Sequence, residues 1–165
     1  MKRNDMEKVY TLIDKPSLAK INKLHPNVRD EVKDIVQEIN TILKGRSKVR
    51  IAQGLRTFAE QDALFRQRPK VTNAKGGQSV HNYGFAVDIV LIIDGKTASW
   101  DTKKDWDNDG IADWDECVKV LAKYGWSWGG NWLSFKDMPH FDKIGFSNWR
   151  KLSTYKRDKN GYIIV

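Results

Sequence analysis

The sequence predicts an α+β fold in which N-terminal helices pack on a small antiparallel sheet. Three observations carry that expectation. Apolar residues recur at steps of three and four early in the chain, a run of branched apolar residues near its middle reads as a central strand, and short strand-like stretches divided by turns dominate its second half. A length of 165 residues, 40% of them hydrophobic, suits one domain better than two. The expected organisation is a single domain over 1–165, with a helical N-terminal part over 1–45, a core over 46–146 and a tail over 147–165.

The stretch SLAKINKL reads as a short helix. From Pro26 to Leu43, residues Val28, Val32, Ile35, Val36, Ile39, Ile42 and Leu43 line one helical face. Pro26 suits a first turn and Gly45 offers a left-handed stop. KVRIAQGLR alternates apolar and polar residues and reads as a strand, leading into a helix at TFAEQDALFRQ that Thr57 and Glu60 open as a capping box. Residues 69–82 lack periodicity and read as a loop, mobile at Ala74-Lys75-Gly76-Gly77. FAVDIVLII is the central strand, turned by Asp94-Gly95. A further helix is expected from Ala112 to Tyr124, closed by Gly125, and further short strands at GWSWGGNW and HFDKI. Asn160-Gly161 marks a terminal hairpin.

The net charge of +8 favours an anionic partner: nucleic acid, acidic lipid or an acidic bacterial wall. No recognised nucleic-acid module is present, and the aromatic residues are not interleaved with the basic ones, so nucleic acid is not expected. No apolar run is long enough to span a bilayer and no basic-then-apolar leader opens the chain, which predicts a soluble, unprocessed protein, expected to be a monomer. Cys117 is the only cysteine, so an internal disulfide and a thiolate-rich zinc site are excluded. It reads as a small helix residue.

His81 lies seven residues before Asp88 in SVHNYGFAVDI. Singly, each has an ordinary reading as a loop histidine or a strand-edge carboxylate that satisfies backbone donors. Together they say more. Strand alternation puts Gly84, Ala86 and Asp88 on one face, and small neighbours leave room there for a bulky group or a cation that offsets desolvation of the carboxylate. His140 opens a second strand-like stretch, whereas His25 reads as an ordinary linker residue. Two imidazoles and a carboxylate form a common catalytic zinc set, with a fourth position open to water.

The pieces GLRTFAEQ, SVHNYGFAVDI, ADWDE, WGGNW and FKDMPHF, in that order over 54–141, resemble the zinc peptidases that include D-alanyl-D-alanine carboxypeptidases, and among them the L-alanyl-D-glutamate endopeptidases of phage endolysins and related bacterial wall enzymes. The resemblance implies zinc held by His81, Asp88 and His140, with Asp137 as general base. The competing reading of Asp137 is a cap on the Met138-Pro139 turn. It also implies that Arg56 clamps the substrate and the transition state, with Gln61 and Ser79 in contact with substrate. The competing reading of Arg56 is a surface ion pair with Glu60 or Asp62. Trp128 and Trp132, flanking Gly129-Gly130, are expected to wall the cleft.

DWDNDGIADWDE places Asp105, Asp107, Asp109, Gly110, Asp113 and Glu116 at positions 1, 3, 5, 6, 9 and 12 of a calcium loop, with the Ile111 carbonyl at position 7. The opposing reading is a solvated acidic turn at a helix N-terminus, where the macrodipole favours carboxylates. Calcium there is expected to make activity calcium-sensitive.

The expectation is thus a zinc metallopeptidase that cuts the L-alanyl-D-glutamate bond of peptidoglycan stem peptides, its catalytic core at 46–146. It would be a lysis protein made in the cytoplasm that reaches the wall through a separately formed membrane hole. The alternatives are a D-alanyl-D-alanine carboxypeptidase, a bacterial wall-remodelling enzyme, and a non-catalytic wall- or calcium-binding module.

Overall fold

The architecture is that of a computed structural model, which describes residues 8–165. The first seven residues of the expected N-terminal part lie outside the described residues. Two helices come first: α1 (Lys15–Ile21), with the Asp14 side chain accepting the Ser17 amide at its N-cap, and α2 (Arg29–Ile42), which Pro26–Val28 enters through a single 3₁₀ turn. α2 buries Val32, Ile35, Val36 and Ile39, the face that the apolar spacing predicts. Gly45 does not form the expected left-handed stop, since the helix ends with Leu43 in an extended conformation. The residue serves packing: a Cβ on it would come within 2.6 Å of Asp107 Cβ.

The sheet is antiparallel, in the order β1 (Ser47–Gln53), β2 (Ala86–Ile93), β5 (His140–Lys143), β4 (Trp126–Trp128), with β3 (Thr97–Ser99) pairing with β2. The strand FAVDIVLII is central, as its unbroken apolar character predicts, because it is covered on both faces. Asp94 and Gly95 both sit at positive φ in the β2–β3 turn, the conformation that lets a tight hairpin follow the twist of its strands. Helix α3 (Phe58–Arg66) carries the Thr57–Glu60 capping box, and α4 (Asp113–Lys123) ends at Gly125, φ +82°. The core joins α1, α2 and α4 to the sheet through Ile21, Leu24, Ile39, Ile51, Leu91 and Trp114.

Two segments differ from expectation. The 74–77 tip is fastened rather than free: the Gly76 amide donates to Asp62 Oδ1 (2.7 Å), the Gly77 amide to Asn82 Oδ1 (3.0 Å), and the Gln61 side-chain amide to the Ala74 carbonyl (2.9 Å). The tail contains a further short helix, α5 (Trp149–Leu152), before Arg157 and Ile163 bridge around Gly161 in the expected hairpin. Leu152 and Ile163 are buried, so the tail completes the core. His25 takes part in this closure and is no ordinary linker residue. Its ring stacks on Phe85 at 4.4 Å between centroids, and its Nε2 donates to the Ile163 carbonyl at 2.7 Å while Nδ1 accepts the Asn27 amide.

Candidate active site

Register builds the site. In the β2–β5 pair Asp88 stands opposite His140 and Ala86 opposite Asp142, so the period of two puts Asp88, His140 and Asp142 on one face, with the small Ala86 leaving space between them. His81 comes from a 3₁₀ turn, Val80–Tyr83, capped by Ser79 and Asn82 and closed by Gly84 at φ +78°. A Cβ on Gly84 would strike the His25 amide nitrogen at 2.4 Å, so only glycine lets this turn dock and hand the chain to β2.

His81 Nε2 lies 3.2 Å from Asp88 Oδ1 and 3.2 Å from His140 Nδ1, and His140 Nδ1 lies 3.4 Å from the same carboxylate oxygen. The outward nitrogens are committed: His81 Nδ1 donates to the Gly54 carbonyl (2.8 Å) and His140 Nε2 to Asp142 Oδ2 (3.0 Å). Those bonds fix both tautomers, so each ring turns a lone pair inward. Two imidazole lone pairs and a carboxylate oxygen converging with no donor between them fit a bound cation, and the mixed nitrogen and oxygen set suits zinc. The pocket attracts positive charge. With no cation bound, burial opposes protonation of His140, yet its bonds to Asp142 and Asp88 outweigh burial and push it up to about 9, so a metal ion would take the place of the Nδ1 proton and meet the lone pair. Burial alone would raise Asp88, but the two histidines hold it far below the ordinary carboxylate range.

The triad lies in a cleft of about 460 Å³ that Arg56, Asp137 and Trp132 also line. The 137–140 segment reaches it by close approach to Gly129, where a Cβ would come within 2.4 Å of the Asp137 carbonyl. No protein donor among the described residues bonds the Asp137 carboxylate, so it does not cap the Met138-Pro139 turn. Burial, then the charge of Asp88, raises Asp137 above the usual carboxylate value, against the pull of His140, His81 and Arg56. Among the described residues Arg56 has no ion-pair partner. Its Nη1 donates to Gln61 Oε1 at 2.8 Å, while Glu60 caps Thr57 and Asp62 accepts the Gly76 amide. Burial lowers the Arg56 guanidinium somewhat against the charge of Asp88.

Comparisons with known proteins agree with this geometry. Residues 72–143 match the family described as D-alanyl-D-alanine carboxypeptidase. This segment, under half of the chain, is similar to that family. The chain is 44% identical over 99 residues to the peptidoglycan L-alanyl-D-glutamate endopeptidase CwlK of Bacillus subtilis strain 168, covering 57% of this chain and 59% of that protein. It is 31% identical over 129 residues to the L-alanyl-D-glutamate peptidase of Listeria phage A118, covering 75% of this chain and 39% of that one. The chain thus matches less than two thirds of the length of either relative. The fold is similar to that of the Serratia marcescens L-Ala D-Glu endopeptidase ChiX, with a TM-score of 0.58 at 21% identity over 90% of this chain and 96% of that one. No helix among the described residues is long and apolar enough to cross a membrane.

The matched segment holds His81, Asp88, Asp137 and His140, and Arg56 joins them from outside it. Two residues expected in contact with substrate sit elsewhere. Gln61 is fully buried, its amide shared between Arg56 and the Ala74 carbonyl, so it supports Arg56 from behind. Trp128 packs near Phe141 and donates to the Met138 carbonyl at 2.7 Å, pinning the 137–140 segment without lining the cleft. Trp132 does line it, tilted over His140 at 5.2 Å. Ser79 lines it too, its hydroxyl accepting the His81 amide.

Sequence reasoning missed two supports. Asp142, backed by the Ser147 hydroxyl at 2.5 Å, orients His140, and the signal was its place two residues on in the same strand. Asn82 joins the His81 turn to the Arg56 carbonyl at 3.0 Å, a tertiary contact with no sequence signal. In the acidic loop before α4, Asp113 is committed, accepting the Ser47 hydroxyl and the Trp106 amide. Burial and then the charges of Asp109, Asp107 and Asp113 push Glu116 up to about 7.

Proposed function

We propose that this protein is a zinc-dependent peptidase that hydrolyses the L-alanyl-D-glutamate bond in the stem peptides of bacterial peptidoglycan, as the names of its relatives suggest. The observation that carries the reading is the convergence of His81 Nε2, Asp88 Oδ1 and His140 Nδ1, with both rings backed so that their lone pairs turn inward. These three atoms would hold the ion. Zinc bound there would polarise a carbonyl and make water a nucleophile near neutral pH.

The chain's own residues supply the rest. Asp137, whose carboxylate meets no donor among the described residues, takes a proton from the attacking water as the new carbon–oxygen bond forms. It returns that proton to the leaving amine of the glutamyl residue as the carbon–nitrogen bond breaks. Arg56, half-buried and braced by Gln61, presents a fixed fork to a glutamyl carboxylate or to the charge that develops on the carbonyl oxygen. Asp142 and Ser147 hold the His140 ring in place. Trp132 forms an apolar wall beside them.

The test is incubation of the zinc-loaded chain with defined muropeptides, read by mass spectrometry. Release of a stem that begins with D-glutamate supports the proposal, and loss of a terminal D-alanine instead makes the protein a carboxypeptidase. Asp137→Ala should abolish either product. No cleavage by zinc-loaded protein, or cleavage that survives His140→Ala, would falsify the mechanism.

A further inference from the structure

The loop that leads into α4 carries carboxylates that the proposed reaction does not use. Oxygens of Asp107, Asp109 and Glu116 lie within 4.8 Å of one another, and so do those of Asp105, Asp107 and Asp113. Acids gathered on an exposed turn say little by themselves. Glu116 says more: it is only 7% exposed, and its Oε2 is buried with no hydrogen-bond partner among the described residues. A buried carboxylate oxygen left unpaired is costly, and native folds normally supply it with a donor or an ion. Here its neighbours are the carboxylates of Asp107 and Asp109, which repel it. No lysine or arginine among the described residues pairs with any of these acids, and the Lys104 ammonium lies over the Trp106 ring instead.

The backbone already curls around the acids. The Gly110 amide donates to Asp105 Oδ2 at 2.8 Å, and Asn108 and Gly110 take positive φ to make the sharp turn. We propose that this loop binds calcium, held by the carboxylates of Asp105, Asp107, Asp109 and Glu116 and by the Ile111 carbonyl, and that the ion fastens the loop to α4. An all-oxygen set on a flexible loop suits a hard cation of variable coordination, and calcium is less demanding than magnesium in this respect. Asp113 serves the site as a tether rather than a ligand, because Ser47 and Trp106 occupy its oxygens.

Placement decides what the ion does. The loop packs on Gly45 and on Ser47 at the start of β1, whereas His81 is held by Gly54, just past the far end of that strand. The calcium site therefore acts on stability and leaves the cleft to its own metal, contrary to the expected calcium-sensitive activity. It does not rest on the peptidase reading.

Calcium chloride titrated into the zinc-loaded chain, stripped of other cations by a chelating resin before zinc is restored, should raise Tm by about 5–10 °C at a hundredfold excess over Kd. Calorimetry should give one calcium per chain, and magnesium a smaller shift. Glu116→Gln should abolish the calcium shift while its calcium-free Tm equals or exceeds that of the parent, because a repelled charge is gone. Should that variant fail to fold, Asp109→Asn on the exposed turn should weaken calcium binding by about tenfold or more. A parent Tm indifferent to calcium up to about 10 mM, beyond the range of weak extracellular modules, overturns the assignment. So does a calcium shift that Glu116→Gln or, failing that, Asp109→Asn retains in full.

Discussion

Two clusters of titratable side chains in this protein gather ligand atoms at similar spacing, yet they are built in opposite ways. In the cleft, sheet register sets Asp88 opposite His140, and both inward-facing rings are backed by an outward bond to Gly54 or Asp142. In the loop at the start of α4, the chain's own turns bring the acids together, and Glu116 Oε2 has no partner among the described residues. The first is a preorganised site whose supports fix tautomer and direction. The second is held mainly by local amides, and only the buried Glu116 oxygen is left for the proposed ion to partner. The difference teaches that counting donor atoms within reach does not rank sites; what stands behind each donor does.

The largest expected effect falls on the cleft. His140→Ala removes one of three converging atoms, and zinc content should fall from about one per chain to near zero, with stem-peptide cleavage reduced by about 10³-fold or more. Asp137→Asn keeps all three ligand atoms, so zinc content should stay at the parent level while kcat falls by about 10²–10⁴-fold. Metal analysis beside steady-state kinetics separates the two. Loss of zinc in Asp137→Asn would move that residue from proton transfer to metal retention and break the contrast between ligand and base.

The next effect asks whether backing matters as much as geometry implies. Asp142→Asn keeps the shape but replaces the carboxylate that orients His140, and zinc affinity should drop by about 10–100-fold in a competition with a chromogenic chelator. Rescue of activity by excess zinc is expected, since the three ligand atoms, Asp137 and Arg56 are untouched. An affinity equal to the parent would show that His140 needs no carboxylate behind it.

Much of the cleft was legible in the sequence because its code is local. Ala86 and Asp88 alternate within one strand and His140 begins another, while Gly84, expected on the same strand face, instead closes the 3₁₀ turn in a left-handed conformation. The same period, taken two residues further, reaches Asp142, a signal that was present and unused. Gln61, Asn82 and His25 were not legible, because each acts through a residue distant in sequence: Ala74, Arg56 and Ile163 respectively. The helix α5 spans four residues, too few for a period to show. Gly45 was misread for a related reason. A glycine after a helix commonly takes the left-handed conformation, but here its missing side chain makes room for Asp107, more than sixty positions away.

The smallest expected effect lies on the boundary between the two regions. Ser47 opens β1 and donates its hydroxyl to Asp113, which also accepts the Trp106 amide, so one buried bond ties the acidic loop to the sheet. Ser47→Ala leaves one Asp113 oxygen without its donor, at a cost of about 1–3 kcal/mol. For a chain of this size that corresponds to a fall in Tm of roughly 2–12 °C by calorimetry. Because the cleft lies past the other end of β1, kcat and zinc content should match the parent below the melting range. A change in either would mean that the strand transmits the disturbance along its length, and that the two clusters work as one.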